Sequence, residues 1–162
     1  MTFLDRLSRG AMWISMTSLV LMTAIITYQV VARYFFNASP AWSERLALLL
    51  LGYLVFFGAA AGVHERFHIR IDALRNAVQP GLRKAFDITA YLAVAGAGVV
   101  MIVAGLRLTT TLWPFDIPSL GVPRGLALLP IPISGLLILL FSSAQLVGAI
   151  NKSDSEDAVE VA

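Results

Sequence analysis

Residues Leu46–Val63 read LALLLLGYLVFFGAAAGV, and this stretch decides the fold. It is 18 residues long and holds no charged side chain and no His, between Arg45 and His64. An α-helix rises about 1.5 Å per residue, so about 20 residues cross a hydrocarbon core of about 30 Å. Ten of the 18 are Leu, Val or Phe. At about −0.3 to −0.6 kcal/mol each they favour insertion by several kcal/mol, which outweighs the glycines. Three further uncharged runs, 10–32, 88–106 and 125–151, are 23, 19 and 27 residues long. Together the four runs take up 87 of the 162 residues. The sequence therefore predicts an all-α integral membrane protein. Its four transmembrane helices are placed at about Ala11–Ala32, Leu46–Val63, Ile88–Leu106 and Ile131–Ile150.

Composition agrees. The chain is 58% hydrophobic and 14% charged, with a mean hydropathy of +0.79, unlike an ordinary soluble domain. A pI near 9.3 would suggest nucleic acid in a soluble protein. Here the basic residues flank spans, so the expected partner is the lipid bilayer and not nucleic acid. The absence of Cys excludes disulfides, iron–sulfur clusters and thiol chemistry. The start, MTFLDRLSRG, has the basic character of a signal peptide. The apolar run behind it is too long for that and lacks a small-residue cleavage site, so it is expected to stay as a span.

Sidedness follows from Lys and Arg. Arg6, Arg9, Arg66, Arg70, Arg75, Arg83, Lys84 and Lys152 lie on one side, and Arg33, Arg45, Arg107 and Arg124 on the other. The positive-inside bias puts both termini in the cytoplasm. Residues 1–151 are expected to form one membrane domain, followed by a solvated, disordered acidic tail at 152–162. Between spans two and three, Phe67, Ile71, Leu74 and Val78 recur at helical spacing, and Pro80-Gly81 follows. That pattern predicts an amphipathic helix over about 66–79, lying on the cytoplasmic surface with its apolar side down. Tyr34 and Trp42 are expected as interfacial anchors. The Pro- and Gly-rich stretch Thr109–Leu129 predicts an ordered, turn-bearing outer cap. Gly58 and Gly62 form a GxxxG, whose missing side chains allow close helix packing within the chain or between chains.

One literal motif points to chemistry. His64-Glu65-Arg66-Phe67-His68 matches HExxH, in which two His one turn apart bind zinc and the Glu activates water. An intramembrane zinc metalloprotease is thus the competing function. Against it, these are the only two His, so a third ligand would have to be a carboxylate such as Asp72 or Asp87. Arg66 and Arg70 would also oppose a divalent cation. Haem fits less well, because i and i+4 on one helix cannot supply opposite axial positions. Arg33 and Glu44 could pair across the outer loop. For Thr23, Thr27, Gln29 and Gln145, hydrogen bonding between helices is expected ahead of solute contact.

The spans also lack what solute carriers use. Transporters place ionisable groups near the midplane or break their helices there. This chain has no charge inside a span and no Pro inside spans one to three. Alone, it is expected neither to bind a solute nor to move one.

Three separated segments carry a family resemblance. They are Gln29–Glu44 (QVVARYFFNASPAWSE), then Gly58-Ala59-Ala60 followed by His68-Ile69-Arg70-Ile71-Asp72, and then Ser119-Leu120-Gly121-Val122-Pro123 with Leu129-Pro130-Ile131-Pro132. In order and spacing they resemble the DctQ-type small membrane subunit of tripartite ATP-independent periplasmic (TRAP) transporters. The resemblance implies an accessory scaffold in the bacterial inner membrane with no catalytic site, cofactor or metal. It implies a large membrane subunit that holds the transport path, a periplasmic substrate-binding protein, sodium coupling and carboxylate solutes. On this basis Arg33, Asn37, Trp42 and Glu44 are expected at the periplasmic contact surface, and His68 and Asp72 on the cytoplasmic surface helix. Three positions depart from the family pattern: Arg45, where a second acidic residue is common, the pair His64-Glu65, and Arg124.

Overall fold

The structure is a computed structural model that describes residues 3–37, 40–75 and 80–160, with side chains over 3–37, 40–65 and 88–147. Five helices follow in order: α1 (Phe3–Phe36), α2 (Ala41–Arg75), α3 (Pro80–Leu112), α4 (Arg124–Leu128) and α5 (Pro130–Glu160). Four segments are long and apolar enough to cross a membrane: Phe3–Phe36, Ala41–Glu65, Ile88–Leu112 and Arg124–Val147. The protein is a four-span helical membrane protein, and among the described residues it has no strand.

The helices run past the uncharged windows. Nothing between Asp5 and Arg9 breaks a helix, and Leu4 and Leu7 pack against the core, so α1 begins well before its first uncharged residue. At about 1.5 Å per residue its 34 residues extend about 50 Å, longer than the hydrocarbon is thick. Asp5 in the first turn and Arg33 in the last complement the helix dipole. Pro80 stands first in α3, where its missing N–H costs nothing. The backbone of α2 stays helical to Arg75, so the segment expected on the cytoplasmic surface starts as a continuation of span two. Residues 76–79 and the side chains of 66–87 lie outside the described residues. So do the side chains after Val147, although the α5 backbone is helical to Glu160. The expectations for the surface helix and the acidic tail fall there.

The helices stand in an open row. The two extensive contacts are α1 with α2 and α3 with α5, and a smaller one between α2 and α5 joins the pairs. The core sits at that joint: Ala11 of α1, Phe57, Ala60 and Ala61 of α2, and Leu137, Ile138 and Phe141 of α5. Small residues set the spacing. A Cβ on Gly135 would lie 2.9 Å from the Gly98 carbonyl oxygen and 2.8 Å from the Met101 Cβ, and one on Gly105 would lie 2.9 Å from Pro132. Only bare backbone allows α3 and α5 to approach so closely. Three buried hydroxyls are satisfied within their own helix: Ser18 donates to Ile14 O (2.8 Å), Ser134 to Ile131 O (3.0 Å) and Ser142 to Ile138 O (2.8 Å). Each bond removes a donor that lipid could not satisfy.

The outer cap is ordered, as its Pro and Gly content predicts. After Leu112 the chain doubles back, with Ile117 N donating to Val122 O (2.8 Å) and Arg124 N to Phe115 O (2.7 Å). Ser119 (φ +72°) and Gly121 (φ +65°) adopt the left-handed conformation at the tip. Glycine takes that conformation without strain, and Ser119 has no such freedom. The short α4 and then Pro130 return the chain into the membrane.

Candidate subunit interface

The cap and the α1–α2 turn meet at one end of the row, and the residues predicted for the outer face gather there. Asn37 ends α1 with φ +50°, a conformation Asn tolerates better than most residues. Pro40 then caps α2: its carbonyl accepts both the Ser43 amide (3.2 Å) and the Ser43 hydroxyl (2.7 Å). Trp42 stacks on Tyr28 of α1, with ring centroids 6.1 Å apart and planes 25° apart. This aromatic pair pins the two helices together near the α1–α2 turn. Glu44 lies in the first turn of α2, where a carboxylate suits the helix dipole. Arg33 and Glu44 are both exposed, and among the described residues no ion pair joins them. Of the two cytoplasmic candidates, His68 and Asp72, the structure gives only the helical backbone of α2.

Sequence reasoning missed the braces between cap and span. The Tyr53 hydroxyl donates to Leu126 O (3.0 Å), and the Ser119 hydroxyl to Ala41 O (3.2 Å). The Trp113 ring lies over Gly125, where any Cβ would strike it. The available signal was Tyr53 itself, since a phenol in mid-span needs an acceptor. Tyr53→Phe should cost about 0.6 kcal/mol, the usual worth of one hydrogen bond between membrane helices. Detergent unfolding monitored by tryptophan fluorescence checks this, because Trp113 reports on the cap.

The GxxxG glycines differ. A Cβ on Gly58 would lie 2.9 Å from the Ser15 hydroxyl oxygen of α1, and that hydroxyl donates to Leu54 O (2.9 Å). Gly62 has no such neighbour within 4 Å. Thr23 and Thr27 turn back to their own helix, donating to Leu19 O (2.9 Å) and Thr23 O (2.8 Å), rather than reaching another one. The reason is that this face of α1, which includes Leu19, Val20, Ala24 and Val31, is covered by no other span. Gln145 is half-buried, and its buried amide nitrogen and oxygen have no hydrogen-bond partner among the described residues.

At the inner end, His64 of the HExxH pentad meets α1. Its Nε2 lies 3.1 Å from Asp5 Oδ1, and its ring packs on Phe141 at 4.8 Å. Glu65 is exposed. Among the described residues no group of three His, Cys, Asp or Glu could hold a metal ion.

A family model described as tripartite ATP-independent periplasmic transporters, DctQ component, matches residues 22–152. The chain belongs to that family. A putative TRAP transporter small permease protein of Haemophilus influenzae is 25% identical over 139 residues, covering 84% of each chain. The sialic acid TRAP transporter small permease protein SiaQ of Vibrio cholerae is 24% identical over 72% of this chain and 68% of its own length. The C4-dicarboxylate small permease protein DctQ of Vibrio cholerae is 28% identical over 51% of this chain and 35% of its own. This DctQ-family chain is a multi-pass small permease subunit with an accessory role, and such subunits are not enzymes. The HExxH pentad therefore belongs to a permease subunit and not to a peptidase.

Proposed function

We propose that the chain is the scaffold subunit of a sodium-coupled importer of carboxylate solutes in the bacterial inner membrane. It works with a large membrane subunit and a periplasmic substrate-binding protein, and both its termini are cytoplasmic. The observation that carries this reading is the pairing of uncharged central runs in all four spans with a row whose outward faces no other described span covers. Such a molecule has no ligand for cargo and ample surface for a neighbour. The solute class is supported by relatives named for C4-dicarboxylate and for sialic acid, both carboxylates. Arg33, Asn37, Trp42 and Glu44 form the periplasmic contact surface, and His68 and Asp72 contribute to the cytoplasmic one. Gly58 serves helix packing against α1, and Gly62, which meets no described residue of this chain, serves packing against another chain.

The test is reconstitution. The chain alone in liposomes should show no sodium-driven uptake of a dicarboxylate or a sialic acid. Uptake should appear only when the large subunit and binding protein are added. Uptake by the chain alone would overturn the scaffold role, as would a large subunit that never co-purifies with it.

A further inference from the structure

We propose that Asp5 and His64 form a latch that holds the inner half of α1 against the α2–α5 joint. One imidazole touches three helices here. It is carried by α2, bonds Asp5 of α1 at 3.1 Å and rests on Phe141 of α5, which is fully buried. A carboxylate can only accept, so the bonding proton lies on Nε2. Desolvation favours the bond, since the His64 side chain is only 17% exposed and that of Asp5 39%. Along the rest of its length α1 is held to α2 by other means: Ser15 on Leu54 O in the middle and Tyr28 on Trp42 at the outer end. The outer end is also fixed covalently, because only residues 37–40 separate α1 from α2. The inner half has the latch, the small-residue contact at Ala11 and the packing of Leu4, Leu7 and Met12 on the core. Releasing the latch leaves Ser15 as the last fixed point, about which the first turns of α1 swing.

From residue 15 to residue 3 the helix extends about 18 Å, so a swing of about 10° displaces residue 3 by about 3 Å. The motion would change the angle of the exposed α1 face, and it is independent of which solute is transported. It also gives the HExxH pentad a role that needs no metal.

The 162-residue sequence has no Cys, so introduced cysteines can be labelled cleanly. One spin-label pair is Phe3→Cys with Ala144→Cys, and the outer reference pair is Tyr34→Cys with Ile133→Cys. All four positions are exposed. Distances are read by pulsed electron resonance in lipid nanodiscs. Asp5→Ala and His64→Phe should each shift the inner-pair distance by about 3 Å and broaden it, while the outer pair stays fixed. His64→Phe keeps a ring on Phe141 but has no donor. His64→Gln keeps a donor close to Nε2 and should preserve the narrow distribution. Unchanged inner distances in both Asp5→Ala and His64→Phe would overturn the latch. So would equal broadening at the outer pair, which means general loosening, or a His64→Gln variant as broad as His64→Phe.

Discussion

Gly135→Leu should cost about 3 kcal/mol or more and separate α3 from α5. Overpacking a tight site typically costs 1–3 kcal/mol when neighbours can give way, and here two of them are backbone. The first carbon of the new side chain would already stand 2.9 Å from Gly98 O and 3.1 Å from Ile102 N. Neither can move without bending α3. Gly62→Ala is the control, because nothing lies within 4 Å of the added carbon; it should be neutral or slightly stabilising through helix propensity. Unfolding in mixed micelles followed by circular dichroism separates the two. Equal midpoints would show that the α3–α5 approach is softer than its geometry implies.

Phe141→Ala should be the second large effect, at about 2 kcal/mol. In water such a change costs more, because the apolar side chain also loses its transfer free energy. In a bilayer that component shrinks, since the lipid around separated helices is as apolar as the core. What remains is the cavity, at about 24 cal/mol per Å³ for the roughly 100 Å³ removed. Phe141 is fully buried and carries the His64 ring, so its loss should also loosen the inner end of α1. Combined with Asp5→Ala the effects should fall short of their sum, as expected for groups sharing one junction. The same unfolding assay measures this, and strict additivity would count against coupling.

The spans were legible because a bilayer rewards uncharged length, and Leu46–Val63 could be nothing else. The outer cap was legible because Pro and Gly at 114–125 restrict the backbone. The true helix ends were not, since hydropathy marks where lipid stops and says little about where hydrogen bonding stops. Trp42 was expected to anchor the outer loop, but its partner Tyr28 was not foreseen, because ring stacking between helices depends on their relative rotation. The Thr23 and Thr27 hydroxyls were expected to bridge helices, yet the carbonyl four residues back is always nearer on an uncovered face. Asp5 and His64 lie 59 positions apart. No local pattern joins two residues at that separation, and the HExxH spacing drew attention to His68 and away from α1.

The seam between α2 and α5 has a mechanical consequence. It is the least extensive of the three main joints, and each leaf beside it is an antiparallel hairpin closed at its outer end. A panel built this way folds like a book along its spine, and does so far more readily than either cover warps. Curvature or thickness changes in the surrounding bilayer should therefore be absorbed at Phe57, Leu137 and Phe141, leaving each hairpin stiff enough to brace whatever stands beside it.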